Sequence, residues 1–169
     1  MHNIRQATID DAEVIDFIWR QRLDEDQPPN EESLQRFRKM LAEQDDVFKC
    51  WVLEEEGKVV GWVSFSPMRN SPALRTTMAE ISGYLSREIR GQSLGTRLHD
   101  YAFAQLANTP VEWVLGFVGK SNHALHGLRK RWAFVKLGEL PPVDKKPDRD
   151  VVEIWALPLG KIVEKESET

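Results

Sequence analysis

Two apolar runs joined by a tight turn constrain the fold of this chain more than any other feature. Phe48 to Glu54 and Lys58 to Ser66 are rich in β-branched and aromatic residues, and Glu55-Glu56-Gly57 between them is typical of a hairpin turn. A third apolar run, Thr77 to Leu85, follows with no helix pattern before it. Successive hairpin strands disfavour a doubly wound parallel sheet, in which strands and helices alternate. We therefore predict a mixed α/β fold with a mostly antiparallel sheet.

The rest of the chain completes the order strand, two helices, three strands, helix, strand, helix, two strands. Apolar residues at helical spacing predict helices after Thr8 to about Arg22, and over Glu31 to Gln44, Leu94 to Leu106 and Asn122 to Arg131. Apolar runs predict the other strands at Ile4 to Ala7, Val111 to Val118, Phe134 to Leu137 and Val151 to Leu157. The length of 169 residues suits one domain, which we place at residues 1–160, followed by a flexible tail at 161–169.

Composition excludes several classes of protein. Cys50 is the single cysteine, so a disulfide scaffold is impossible and a reducing compartment is favoured. The N-terminal residues contain no apolar stretch of signal-peptide length, and no run approaches the length of a membrane span. The net charge of −4 argues against general nucleic-acid binding. We expect a cytoplasmic protein that binds neither membranes nor nucleic acids.

Charge is unevenly distributed along the chain. Residues 10–56 hold 15 acids and 6 bases, whereas residues 57–136 hold 4 acids and 11 bases. A basic middle in an acidic protein predicts a local anion site. The alternative is an uneven surface charge without a ligand.

A polar turn between a strand and a helix, within Tyr84 to Leu98, is the candidate for that anion site. Backbone N–H groups at a helix start lack helical partners and carry partial positive charge. Gly91 and Gly95 let a bulky anion approach the backbone, and Arg90 and Arg97 add full charges. The turn has neither the Gly-Lys-Ser/Thr of a P-loop nor the Gly-x-Gly-x-x-Gly of a dinucleotide-binding turn. It predicts either a pyrophosphate cradle or a strand–turn–helix junction that uses glycine for geometry alone.

This turn resembles the Arg/Gln-x-x-Gly-x-Gly/Ala motif of the GCN5-related N-acetyltransferase (GNAT) family. In that family the amides of the loop hold the pyrophosphate of acetyl-CoA. The resemblance assigns this role to Arg90, Gly91, Gln92, Ser93, Leu94, Gly95 and Thr96. It also implies that the preceding strand splays from its neighbour and that its backbone binds the pantetheine arm, at Tyr84, Leu85 and Ser86.

The resemblance extends over almost the whole chain. Asn3 to Thr8 is similar to the opening of the family, Gly57 to Trp62 to its hairpin, and Asn122 to Phe134 to its Asn-containing helix. It implies a twisted, mostly antiparallel sheet flanked by helices, with a splayed central strand pair. Asn122 stands where the family has an Asn that binds the pantetheine arm or orders a water, although a helix N-cap is the alternative role.

Three positions depart from the family pattern. Ser93 replaces the central Gly of the loop, Ala133 replaces the Gly before Phe134, and Arg129 stands where many members have Tyr or His. Arg129 also begins a basic run with Lys130 and Arg131. This run predicts either contacts to the phosphates of CoA or a solvated helix face.

Glu80 and Tyr84 are the candidates for the chemistry. Acetyl transfer to an amine needs a group that takes the amine proton, and a lone carboxylate in an apolar strand suits that task. Glu80-x-Ser82-x-Tyr84 is similar to the strand of phosphinothricin acetyltransferase-like members, where the Glu is the general base. The alternatives are a Glu80 paired with a nearby Arg and a Tyr84 that packs in the core rather than protonating the CoA thiolate.

The acceptor is predicted to be a small-molecule amine. Resemblance to members that acetylate phosphinothricin and methionine sulfone, which are often dimers, favours an amino acid or its analogue and implies a homodimer. The acidic segment at residues 24–32 instead favours a cationic amine such as a polyamine. A peptide N-acetyltransferase and a non-catalytic acyl-CoA-binding module remain alternatives. The histidines lack a metal-ligand pattern, so we predict no metal site.

Overall fold

A computed structural model describes residues 2–22, 28–68, 74–89, 93–142 and 150–160 of the chain. Its strands are β1 (His2–Gln6), β2 (Cys50–Glu55), β3 (Lys58–Pro67), β4 (Met78–Leu85), β5 (Trp113–Gly119), β6 (Val135–Leu140) and β7 (Val152–Pro158). Its helices are α1 (Ala12–Arg20), α2 (Glu31–Ala42), α3 (Leu94–Gln105) and α4 (His123–Arg131), with 3₁₀ turns at Ile9–Asp11 and Arg87–Ile89. The order predicted from the sequence is confirmed. The tail predicted at 161–169 lies outside the described residues.

The seven strands form one sheet in the order β1-β2-β3-β4-β5-β7-β6. The pairs β1–β2, β2–β3, β5–β7 and β6–β7 are antiparallel, and β4–β5 is parallel. Within the described residues the parallel ladder joins Met78–Glu80 to Trp113–Leu115, and both strands continue beyond it. The predicted mixed, mostly antiparallel α/β fold is therefore confirmed.

The hairpin between β2 and β3 forms because of its turn residues. Glu56 and Gly57 both have positive φ, at 51° and 79°. Two successive residues of this kind give a turn whose twist matches that of the strands it joins. The turn therefore sets the register that pairs Trp51 with Val63 and Val52 with Trp62.

The chain divides into two compact units, of which the first comprises Met1–Ser66 and Ser82–Thr109. In this unit α1 and α2 pack on one face of the strands, against Cys50, Val52 and Trp62. The other face carries α3, whose Tyr101 contacts the ring of Trp51. The sheet of this unit is covered on both sides, which explains its nearly continuous apolar strands.

A buried carboxylate joins the two helices on the first face. Asp16 of α1 is 3% exposed, accepts a hydrogen bond from the Ser33 hydroxyl of α2 and pairs with Arg20 Nε at 2.8 Å. Asn30 caps α2 by accepting a hydrogen bond from the Glu32 N–H at 2.9 Å. These polar contacts satisfy a charge and a helix end that the core would otherwise leave unpaired.

The second unit comprises Pro67–Ile81 and Pro110–Thr169. Here α4 and β7 meet at Arg129 and Glu153, which are 5% and 3% exposed. Glu153 Oε2 accepts from Arg129 Nη1 at 3.4 Å and from Trp155 Nε1 at 2.9 Å, while its Oε1 accepts from Lys136 Nζ at 2.7 Å. The Arg129 guanidinium also stacks over the Trp155 ring, 4.6 Å from its centroid. A single buried carboxylate thus holds residues from one helix and two strands.

Two of the departures from the family pattern occupy left-handed backbone. Ser93 has φ of 57° and Ala133 has φ of 56°, a region in which a side chain is strained and Gly is not. We expect Ser93→Gly and Ala133→Gly each to raise the free energy of unfolding by about 0.5–1 kcal/mol. Urea unfolding of each variant measures the effect, with Ala107→Gly as a control at an exposed position without positive φ. Unchanged or lower midpoints for both variants would show that the strain is absent.

No helix in the described part of the chain is long and apolar enough to cross a membrane.

Candidate functional site

The start of α3 is the anion site that the sequence predicts. Ser93 lies immediately before the helix, in left-handed conformation, and its side chain makes no capping hydrogen bond. The first turn contains no acidic residue. The N–H groups of Leu94, Gly95 and Thr96 have no helical acceptors at these positions and add their dipoles to the helix terminus. Arg90, Gly91 and Gln92, which the sequence assigns to the same site, lie outside the described residues.

Glycines hold the end of β4 against the start of α3. A Cβ on Gly95 would lie 3.0 Å from Leu85 Cδ1, and a Cβ on Gly61 of β3 would lie 2.5 Å from Leu85 Cδ2. The Leu85 side chain therefore fills the space that these two glycines leave. This packing uses the side chain of Leu85 and leaves its backbone for other contacts.

Backbone direction alternates along β4. The Ser86 N–H donates to Val60 O on β3 at 2.8 Å, and the Met78 carbonyl accepts from the Met68 N–H on the same side. Alternate residues of a strand direct their hydrogen-bonding groups to opposite edges, so the N–H and C=O of Leu85 point away from β3. Leu85 and Ser86 were both predicted to bind the pantetheine arm through their backbones. The N–H and C=O of Leu85 point to the edge of β4 opposite β3, whereas the N–H of Ser86 already donates to Val60.

Glu80 is a half-buried carboxylate on β4. Burial raises the pKa of its carboxyl above the ordinary value. Among the described residues no hydrogen bond or ion pair engages this carboxylate, and Arg75, one of its two expected partners, is exposed. The other, Arg69, lies outside the described residues. An unpaired carboxylate with a raised pKa is a stronger base than a solvated one, which is the property that proton abstraction requires.

Tyr84 lies four positions after Glu80 on β4, and so on the same face of the strand. Its ring packs 5.5 Å from that of Trp62, so the predicted packing role is present. Burial raises the pKa of its phenol, and the positive charges of Arg22 and Arg36 oppose that effect. The phenol therefore keeps its proton at neutral pH and can donate it.

Asn122 and Arg129 lie at the two ends of α4. The Asn122 side chain accepts a hydrogen bond from the Leu125 N–H at 3.3 Å, which is the capping role that the sequence left open. Arg129 is buried and pairs with Glu153. The sequence predicted that it contacts either the phosphates of CoA or solvent, and did not predict this ion pair. The signal for this pairing was absent from the local pattern, because Glu153 is separated from Arg129 by 24 positions.

The described residues contain no cluster of three or more side chains able to hold a metal ion.

Residues 12–134 match the family model described as Acetyltransferase (GNAT) family. The chain belongs to the GNAT family. The match includes β4, the start of α3 and the whole of α4, which carry the candidate site. GNAT proteins are N-acetyltransferases with acetyl-CoA as cosubstrate, so the predicted enzyme class and cosubstrate are confirmed for the family to which this chain belongs.

Several relatives within the GNAT family have names that include phosphinothricin acetyltransferase. YwnH of Bacillus subtilis, provisionally assigned to that class, is 28% identical over 90 residues. That match covers 53% of this chain and 55% of YwnH, so the chain spans about half the length of the curated relative it matches. A phosphinothricin acetyltransferase from Sinorhizobium meliloti, solved in complex with acetyl-CoA, is 25% identical with a TM-score of 0.78. The alignment covers 94% of this chain and 89% of that one.

A further solved structure shows the shared GNAT fold. A Salmonella typhimurium protein with a provisional acetyltransferase assignment, solved with its cofactor acetyl-CoA, has a TM-score of 0.79 at 21% identity. The alignment covers 99% of each chain. The seven-stranded sheet with its flanking helices is therefore the same fold as that of this GNAT neighbour.

Proposed function

We propose that this protein transfers the acetyl group of acetyl-CoA to the amino group of a small molecule, an amino acid or amino-acid analogue. The observation that carries the proposal is Glu80, a half-buried carboxylate on β4 that has no hydrogen-bond or ion-pair partner among the described residues and whose pKa is raised by burial. The names of the relatives from Bacillus subtilis and Sinorhizobium meliloti support an acceptor that resembles phosphinothricin.

The residues at the start of α3 fit the cosubstrate. Its diphosphate is an anion that helix-terminal N–H groups and a first turn without acids can hold, at Ser93, Leu94, Gly95 and Thr96. The outward-pointing backbone of Leu85 is available for the amide groups of the pantetheine arm. When bound, acetyl-CoA supplies an acetyl group activated as a thioester. The resemblance of the sequence to the GNAT family assigns Asn122 to the pantetheine arm, and its capping bond to the Leu125 N–H uses only the side-chain oxygen.

Glu80 is the general base in this proposal. An amine attacks only with its lone pair free, so its proton must be taken up by a nearby group. Deprotonated Glu80 accepts this proton at its carboxylate, directly or through a water molecule. Tyr84, protonated at neutral pH, lies on the same strand face and donates its phenolic proton to the departing sulfur. Direct transfer in a ternary complex then requires no covalent acyl-enzyme.

The predictions of a cytoplasmic location and of a homodimer stand beside this proposal. Size-exclusion chromatography with light scattering determines the oligomeric state.

Thr96→Asp tests the cosubstrate site by separating stability from binding. A carboxylate in the first turn of a helix stabilises it by about 0.3–1 kcal/mol, because it interacts favourably with the helix dipole. The same charge repels a diphosphate, so the dissociation constant for acetyl-CoA is expected to rise at least tenfold. The measurement is thermal unfolding with and without acetyl-CoA. At one hundred times the dissociation constant, binding stabilises the wild type by about 2.7 kcal/mol, or roughly 5–10 °C in Tm.

Thr96→Asn is the matched control, because it has the same shape without the charge. It is expected to bind acetyl-CoA nearly as the wild type does. Equal binding by the Asp and Asn variants would remove the start of α3 from the cosubstrate site. A wild type that shows no shift at millimolar acetyl-CoA would contradict the proposed function itself. An amine panel that includes short peptides then separates a small-molecule acceptor from a peptide one.

A further inference from the structure

Tyr84 belongs to a connected cluster of four aromatic rings. Trp62 is the centre of the cluster, with ring centroids 5.5 Å from both Tyr84 and Phe37. Phe37 in turn contacts Trp19, at 5.8 Å. Trp62 and Phe37 are buried, whereas Trp19 and Tyr84 are half-buried. The cluster therefore runs from the core to the surface beside a residue that we place in the reaction.

Two guanidinium groups stack on the outer ring of this cluster. Arg22 Cζ lies 3.6 Å from the Trp19 centroid, and Arg36 Cζ lies 4.7 Å from it. Arg36 also lies 5.2 Å from the centroid of Phe37. Cation–π stacking holds a guanidinium by its flat face and leaves its N–H edge free for another partner.

Neither guanidinium has an acidic partner among the described residues. Arg22 makes one long hydrogen bond, from Nη1 to the Trp19 carbonyl at 3.4 Å. Arg38, two residues after Arg36 on α2, behaves differently, because it lies 3.6 Å from a Glu13 oxygen and 3.7 Å from a Glu31 oxygen. Two exposed cations that share one ring, with no acidic partner in the described part of the chain, provide a site that attracts an anion.

A third donor lies in the same cluster. The Trp62 indole Nε1 is buried and has no hydrogen-bond acceptor in the described structure. Buried N–H groups in native proteins nearly always have an acceptor, so this one needs an oxygen from a ligand or from water. The positive charges of Arg22 and Arg36 also act on the Tyr84 phenol, so the pair lies near the residue that we place in the reaction.

We infer that Arg22 and Arg36 recognise an anionic group on the acceptor, and that the acceptor is therefore an amine that carries a carboxylate or similar oxyanion. This inference rests on the proposed function and narrows its substrate class. It disfavours the polyamine suggested by the acidic segment. Residues 24–26 of that segment lie outside the described residues, and the Glu31 carboxylate faces Arg38 and Gln35. The inference also makes Arg22 and Arg36 specificity-determining residues for the carboxylate end of an amino acid.

The test pairs each acceptor with a neutral version of itself. Proteinogenic amino acids, methionine sulfone and phosphinothricin are assayed beside their α-carboxamides, with spermidine as the cationic amine. We expect the best acceptor to be a free carboxylate, favoured over its carboxamide by at least tenfold in kcat/KM. In Arg22→Gln and Arg36→Gln this preference is expected to fall about tenfold or more, mainly through the KM of the acceptor, since a charge-assisted hydrogen bond is lost.

Arg38→Gln is the matched control on the same helix and is expected to keep the preference of the wild type. Arg36→Lys keeps the charge without the planar fork and is expected to be intermediate. Circular dichroism melts confirm that each variant is folded.

The outcomes distinguish the inference from the function on which it rests. A best acceptor that is spermidine or a carboxamide would overturn the inference while leaving acetyl transfer intact. The inference would also be overturned if the Arg22 and Arg36 variants raised the KM for acetyl-CoA and left the KM for the acceptor unchanged, because the two arginines would then bind the cosubstrate. A wild type that binds acetyl-CoA but acetylates no amine would overturn the proposed function instead.

Discussion

Glu80→Gln is expected to lower kcat/KM for acetyl transfer by about 10²–10⁴-fold, the range for loss of a general base. The amide keeps the shape of the carboxylate but cannot accept the proton of the amine. Because Glu80 lies on β4 rather than at the start of α3, the dissociation constant for acetyl-CoA should be unchanged. Steady-state kinetics and a thermal shift with acetyl-CoA measure the two effects separately.

The pH dependence of the same variant gives a second readout. Burial raises the pKa of Glu80, so the activity of the wild type should fall as pH decreases through this raised value, while the residual activity of Glu80→Gln should lack that limb. Folding also favours the protonated form of such a carboxyl, so its contribution to stability is lost as pH rises through the folded-state pKa. Glu80→Gln is therefore expected to have a higher Tm than the wild type at about pH 8, with the difference shrinking in acid.

Glu88→Gln serves as the control for this experiment, because Glu88 is an exposed carboxylate in the 3₁₀ turn after the same strand. It should leave both activity and Tm unchanged. Full activity of Glu80→Gln, or an acid limb that persists in that variant, would mean that another group takes the proton.

Glu153→Gln is expected to have the largest effect on stability. The carboxylate accepts from Lys136 and Trp155 and lies against the buried Arg129 guanidinium. Removal of its charge leaves a buried cation without its counter-charge, which is more costly than removal of the whole pair. We expect Tm to fall by roughly 5 °C or more, as measured by circular dichroism. Glu139→Gln is the control, because that exposed carboxylate pairs with the same Lys136 and should shift Tm little.

Acid should reproduce part of the effect of this substitution. The hydrogen bond from Lys136 is the largest cause that lowers the pKa of Glu153 below its ordinary value of 4.5. Its contribution to stability is therefore present above that pH and lost as pH falls through the lower, folded-state value. A double variant, Arg129→Met with Glu153→Leu, should recover much of the stability that Glu153→Gln loses. Additive losses in the double variant would show that the two side chains do not act as a pair.

The fold was predictable because its signals are local. The β2–β3 hairpin shows in the sequence as two apolar runs separated by a short turn that contains Gly57, and each helix shows its apolar spacing within a dozen residues. The strand order of the sheet rested on resemblance, since no local pattern states that β7 lies between β5 and β6. Glu80 could be selected as an isolated acid in an apolar strand, and its half-buried position agrees with that selection.

Residues whose roles depend on distant partners could not be predicted in the same way. Arg129 belongs to a basic run in the sequence, and its burial depends on Glu153 in a later strand. Arg22 lies in the turn after α1 and Arg36 lies on α2, so their shared stacking on Trp19 depends on how α1 and α2 pack. A count of charges identifies an acidic first segment, but it cannot show which charges lie beside the aromatic cluster.

The one cysteine of the chain provides an internal measure of how often the first unit opens. Cys50 is fully buried in the core between β2 and the helices α1 and α2, and burial raises the pKa of its thiol far above neutrality. A thiol reagent therefore reacts with it at an appreciable rate in molecules whose core has come apart. The labelling rate of Cys50 can follow core opening with no engineered probe, and slower labelling in the presence of acetyl-CoA or an acceptor would report its binding.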